Sequence, residues 1–103
     1  EEAKKFGLRA PMVGHLGDGN FHVVLPYDPA KKEMYKKIRE FNDLLIKKGL
    51  ELNGTITGEH GVGLHKKEYL LEEHPDNIPI MKSIKRTMDP NNIMNPGKIF
   101  DLN

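Results

Sequence analysis

Two short glycine-rich stretches constrain this chain more than anything else in it. Residues 14–22 read Gly-His-Leu-Gly-Asp-Gly-Asn-Phe-His, and residues 58–63 read Gly-Glu-His-Gly-Val-Gly. Together they hold three of the five histidines and six of the ten glycines. Glycine loses more conformational freedom on folding than any other residue, so such clustering weakens a core. It is tolerated where backbone turns sharply or lies close to a ligand. The two stretches therefore read as two halves of one site.

In the first stretch, Asp18-Gly19 is a strong two-residue hairpin signal, because a type I′ turn needs positive φ at both positions. That register sets His15 directly opposite His22 on one face, with Cβ atoms roughly 4.5–5.5 Å apart. Two imidazoles so placed can share one divalent ion at roughly 2.0–2.1 Å each. The plainer alternative is a tight turn flanked by two histidines without a shared role, and spacing alone does not separate the two.

In the second stretch, Glu59 and His60 are adjacent and would point to opposite faces of a regular strand. Gly58, Gly61 and Gly63 release that constraint, so a loop can present both. Glu59 then offers a third ligand, giving a His2Glu set with one coordination position open. His60, with an imidazole suited to proton transfer near neutrality, is left for the role of base. A phosphate-binding loop is the weaker functional alternative, since Glu59 would repel an anion. An exposed glycine loop with no ligand is the bland one.

The rest of the chain reads as support. Residues 1–6 suggest the end of a helix capped at Gly7, and the first residue is Glu, so a piece of a longer protein is expected. Residues 21–25 suit a strand. Asp28-Pro29 suggests an N-cap and first turn for a helix running to about Lys48, closed by Gly49. Met34, Ile38, Phe41 and Leu45 form its inward stripe, with a lysine-rich solvated face opposite. Leu50–Leu52 hints at a further short strand.

A helix is expected over 65–74, stopped at Pro75, and another over 78–88 with Met81, Ile84 and Met88 inward. His65 and His74 fall in or beside these polar helices and are expected on the surface. Asp89 before Pro90 ends the last helix. Asn95-Pro96-Gly97 is a turn, and residues 98–100 form a short closing segment. The fold class is α+β: a small antiparallel sheet from about residues 9–27, with helices on one face.

With 103 residues, a single domain is expected. The absence of cysteine excludes disulfides and thiolate metal sites. Net charge of +1 gives no electrostatic case for nucleic acid. No apolar run is long enough to span a bilayer.

Three motifs in order carry a family resemblance. They are the stretch at 14–22, the longer Gly-Thr-Ile-Thr-Gly-Glu-His-Gly-Val-Gly-Leu-His-Lys at 54–66, and Met-Asp-Pro-Asn-Asn-Ile-Met-Asn-Pro-Gly-Lys-Ile at 88–99. With these the chain resembles, over residues 7–103, the C-terminal part of FAD-linked oxidases. The subgroup is that of D-lactate dehydrogenase, glycolate oxidase and D-2-hydroxyglutarate dehydrogenase, within the vanillyl-alcohol oxidase superfamily.

The resemblance implies an FAD-binding domain outside this sequence and a substrate domain whose end, this chain, returns to the flavin. It implies that His15, His22 and Glu59 bind zinc or another divalent ion. It makes His60 the base and Asn95, in the Asn-Pro-Gly-Lys turn, a flavin contact. The substrate would be a D-2-hydroxy acid, and the electron acceptor a quinone, a cytochrome or an electron-transfer flavoprotein. Hydroxyglutarate-type members carry asparagine two residues after the second metal histidine. Val24 stands there and cannot donate from its side chain, which favours D-lactate, then glycolate.

The expected setting is cytoplasmic, with peripheral membrane contact through the full-length protein. The fragment alone is expected to be inactive, and to form a homodimer through apolar surface meant for the rest of the protein. A free-standing metal-binding module or metallohydrolase using His15, His22 and Glu59 is the alternative from another class. An interaction domain with no site is the remaining one.

Overall fold

The computed structural model describes residues 1–103 as two compact units, Glu1–Gly54 and Thr55–Asn103. Four helices and one two-stranded antiparallel sheet make up the regular structure, an α+β composition as the sequence suggested. No helix is long and apolar enough to cross a membrane.

The first unit begins with α1 (Glu2–Lys5). Gly7 closes it at φ 67°, with its N–H on the Lys4 carbonyl and the Leu8 N–H on that of Ala3. These are the paired bonds of a Schellman cap, and glycine pays no Cβ penalty there. The strands β1 (Met12–Val13) and β2 (His22–Val23) follow.

Helix α2 (Lys32–Glu51) is the longest element. Its expected stripe faces inward: Phe41 is buried, and Met34, Ile38 and Leu45 are half-buried. The Phe41 ring meets Phe6 edge-on, with centroids 5.8 Å apart at 62°. That contact fastens the chain start to the helix. Full burial of such a side chain stabilises by about 1.5–3 kcal/mol.

Both ends of α2 differ from expectation. Asp28 is not its N-cap. Its carboxylate accepts the Ala30 N–H at 3.0 Å and its carbonyl the Lys31 N–H at 2.9 Å, closing a separate turn before the helix starts at Lys32. Nor does Gly49 end the helix, which continues through Leu50 and Glu51 where a strand was considered. The stop is a Schellman cap one turn later. Asn53 takes the left-handed conformation (φ 59°), its N–H bonds the Leu50 carbonyl, and the Gly54 N–H bonds that of Gly49.

The second unit is built on α3 (Lys67–Glu73) and α4 (Ile78–Met88). Its buried apolar side chains are Ile56, Leu70 and Ile78. Glu73, its side chain only 11% exposed, accepts the Ile56 N–H at 3.1 Å and so ties the entry of the second glycine loop to α3. The bounds of α4 match the sequence reading, but its inward face does not. Ile84 and Met88 are exposed and Met81 is half-buried, while Ile78, Lys82, Lys85 and Asp89 lie on the packed side. A buried ion pair described below accounts for that rotation.

Candidate functional site

The first glycine stretch forms a hairpin, but not the tight one. Met12 pairs with Val23 and Val13 with His22, so residues 14–21 make an eight-residue connection. Asp18-Gly19 does not close it alone. Residues Leu16–Asp18 wind into a 3-10 turn, and the His15 carbonyl accepts N–H groups from both Asp18 (2.9 Å) and Asn20 (3.2 Å). Gly19 follows at φ 69°.

The expected opposition of His15 and His22 is therefore corrected. Val13 is the partner of His22, and His15 has left the strand to cap the 3-10 turn. One hairpin still carries both imidazoles, His15 exposed and His22 half-buried. Gly14 permits this path: a Cβ there would lie 2.5 Å from the Phe21 Cα and closer still to the Asn20 carbonyl oxygen.

The second stretch behaves as the glycines suggested. Gly61 (φ 74°) and Gly63 (φ 56°) take conformations that side chains disfavour. Freed from strand alternation, Glu59 and His60 turn to the same region, with Oε1 and Nε2 3.7 Å apart. Both side chains are largely exposed, His60 at 73% and Glu59 at 50%. A carboxylate acceptor thus stands beside an imidazole that reaches solvent. His65 is exposed and His74 half-buried, its Nε2 3.4 Å from a Glu73 carboxylate oxygen.

Asn95 lies in the same unit as Glu59 and His60. It is exposed and left-handed (φ 47°), in a segment with no helix or strand of its own. Two lysines hold that segment. Lys85 on α4 donates to the Met94 carbonyl at 2.5 Å, and Lys67 on α3 to the Gly97 carbonyl at 3.2 Å. Lys67 also bridges both carboxylate oxygens of Asp101, at 2.8 and 2.9 Å.

The residue that sequence reasoning missed is Asp89, treated only as a helix stop. It is 5% exposed. Its carboxylate receives the Lys85 ammonium and the N–H groups of Ile93 (3.0 Å) and Met94 (2.9 Å). The hydrogen bond from Lys85, reinforced by the two backbone donors, holds its carboxyl below the usual carboxylate range against the opposing effect of burial. The signal available in sequence was a lysine four residues before an Asp-Pro, an i, i+4 pair at a helix end.

The donor chemistry present is imidazole nitrogen and carboxylate oxygen without sulfur, which fits zinc and other borderline or hard divalent ions. Asn95 is exposed, and the backbone on both sides of it is restrained, at Met94 and at Gly97.

Comparison with known proteins gives the family of this chain. Residues 1–99 match the family described as FAD linked oxidases, C-terminal domain. A probable mitochondrial D-lactate dehydrogenase of Danio rerio is 43% identical over 96 residues, covering 92% of this chain and 19% of the relative. A mitochondrial D-lactate dehydrogenase [cytochrome] of Kluyveromyces lactis is 42% identical over 103 residues, covering 99% and 17%. The glycolate oxidase subunit GlcD of Bacillus subtilis is 40% identical over 99 residues, covering 95% and 21%. The chain thus spans about a fifth of the length of these curated relatives. With nearly every residue inside the match and the three motifs in order, the chain belongs to the FAD-linked oxidases, as their C-terminal domain.

Proposed function

We propose that this chain is the substrate-side, C-terminal part of a flavin-dependent dehydrogenase that oxidises a D-2-hydroxy acid to the 2-oxo acid. D-lactate is the first substrate and glycolate the next. The observation that carries the reading is the match over residues 1–99, joined to relatives named for D-lactate and glycolate oxidation. Val24, without a side-chain donor, fits the shorter acids better than hydroxyglutarate.

In this reading His60 takes the proton from the substrate hydroxyl. Its exposure leaves the imidazole accessible, with the Glu59 carboxylate 3.7 Å away. His15, His22 and Glu59 are the proposed ligands of a divalent ion, zinc first among them, and Asn95 is the proposed flavin contact. Bound, the flavin supplies the hydride acceptor and the metal ion supplies Lewis acidity at the substrate oxygens.

The proposed electron acceptor is a cytochrome, as the name of the Kluyveromyces lactis relative specifies for that protein, ahead of a quinone or an electron-transfer flavoprotein. The proposed setting is aqueous, with membrane contact made peripherally by the full-length protein. FAD is held mainly by the parts of the protein outside this sequence, so the isolated chain does not turn over substrate.

The test is anaerobic flavin bleaching by the full-length protein. D-lactate is expected to bleach the absorbance, L-lactate is not, and His60→Ala is expected to keep FAD but lose bleaching. A full-length protein that contains no flavin overturns the reading. Hydrolysis of an ester or amide by the 103-residue chain alone would favour a metallohydrolase instead.

A further inference from the structure

Ending a helix before Pro90 needs no help from a buried side chain, because the residue before proline already leaves the helical region. The Asp89 carboxylate nonetheless stays inside, at 5% exposure. One of its oxygens holds the Ile93 N–H, and the other holds the Met94 N–H and the Lys85 ammonium. Lys85 then reaches the Met94 carbonyl. Both backbone polar groups of the residue directly before Asn95 are thus held by one side-chain pair.

Burying a charged pair is costly unless every partner is in place, and here the partners are backbone groups of a single segment. Asn95 itself sits at φ 47° and Asn92 at φ 50°, conformations that persist when surrounding contacts enforce them. On the far side of Asn95, Lys67 holds Gly97.

We infer that Lys85 and Asp89 are positioning residues for Asn95, fixing the orientation in which its amide is presented. The inference rests on the proposed flavin contact of Asn95.

The experiment uses the full-length flavoprotein and measures FAD dissociation constant and flavin midpoint potential on folded protein. Asn95→Ala is expected to weaken FAD or shift its potential. Asp89→Asn and Lys85→Met are expected to move the same readouts in the same direction, by roughly tenfold in affinity, as for residues that orient a ligand from behind. Lys85→Arg is expected to restore most of the loss.

The double variant Asp89→Asn/Asn95→Ala is expected to be no worse than Asn95→Ala, since residues acting through one group are not additive. Full additivity overturns the inference. So does a lowered melting temperature with affinity and potential both unchanged. Should Asp89→Asn not fold, Lys85→Met and Lys85→Arg decide by the same readouts. An Asn95→Ala variant with unchanged flavin properties instead removes the flavin contact itself, and the inference with it.

Discussion

The backbone N–H of Ile99 donates to the carbonyl of Gly63 at 2.8 Å, joining the Asn95 segment to the glycine loop that carries Glu59 and His60. Two motifs joined through residues 36 positions apart in sequence are therefore one backbone assembly. Glu73 anchors the entry of that loop at Ile56, and Lys67 anchors the far side of the Asn95 turn. Disturbing one motif should be felt at the other.

Asp89 gives this assembly a dependence on acid. Its carboxyl is held low in the folded state, chiefly by Lys85, so the unfolded chain binds the proton more readily. The stabilisation is complete above the ordinary carboxylate range and is lost as pH falls through the folded value. Denaturant unfolding of the chain below about pH 4 should therefore show a falling midpoint. Asp89→Asn should lower the midpoint at neutral pH and flatten the acid slope.

Gly14 and Gly17 should respond oppositely to alanine. A Cβ at Gly14 meets the backbone of Asn20 and Phe21, while one at Gly17 meets nothing within 4 Å. Gly14→Ala should destabilise the hairpin by about 1–3 kcal/mol. In the full-length protein it should weaken the proposed divalent-ion binding roughly tenfold, since the backbone bearing the proposed ligands moves. Gly17→Ala should leave both intact, as measured by equilibrium dialysis and thermal melting.

The cap of α2 is open to improvement. Asn53 occupies the left-handed position usually taken by glycine. Asn53→Gly should be neutral or stabilising by less than about 1 kcal/mol, whereas Asn53→Val should cost about 1–2 kcal/mol. Hydrogen exchange at the last turn of α2 reads this directly.

The outer face of α4 predicts self-association. Ile80, Ile84 and Met88 recur at four-residue spacing and are 62%, 59% and 76% exposed. Such a stripe is where the homodimer proposed for the isolated chain would form. Sedimentation should show dimer for the wild-type chain and monomer for Ile84→Glu, with helicity unchanged.

The sequence made some of this legible and misdirected the rest for identifiable reasons. The α2 stripe was readable because Met34, Ile38, Phe41 and Leu45 obey a single helical period. The α4 stripe misled because hydrophobicity assigns Lys85 outward, whereas its ammonium turns inward to Asp89 and Met94. The hairpin register misled because Asp18-Gly19 signals a two-residue turn. The His15 carbonyl instead gathers two N–H groups and closes a wider one.

At the site, residue chemistry pointed to His15, His22, Glu59 and His60, and glycine freedom correctly put Glu59 beside His60. The division of roles among them came from the resemblance, not from spacing. Asp89 escaped notice although Lys85 four residues earlier was a signal, because its other partners are backbone N–H groups, which leave no trace in side-chain patterns.

Apart from the Lys67–Asp101 ion pair, the cations that hold the last stretch of chain grip oxygens of the main chain: Lys85 at Met94, Lys67 at Gly97, and Arg86 at Leu102, where the distance is 2.6 Å. Recognition of this kind is blind to side-chain identity. Sequence drift at Met94 or Leu102 can therefore proceed while the segment keeps its place. Ile99 is held more narrowly: it takes the left-handed conformation (φ 70°), and proline there would also remove the N–H that the segment lends to Gly63.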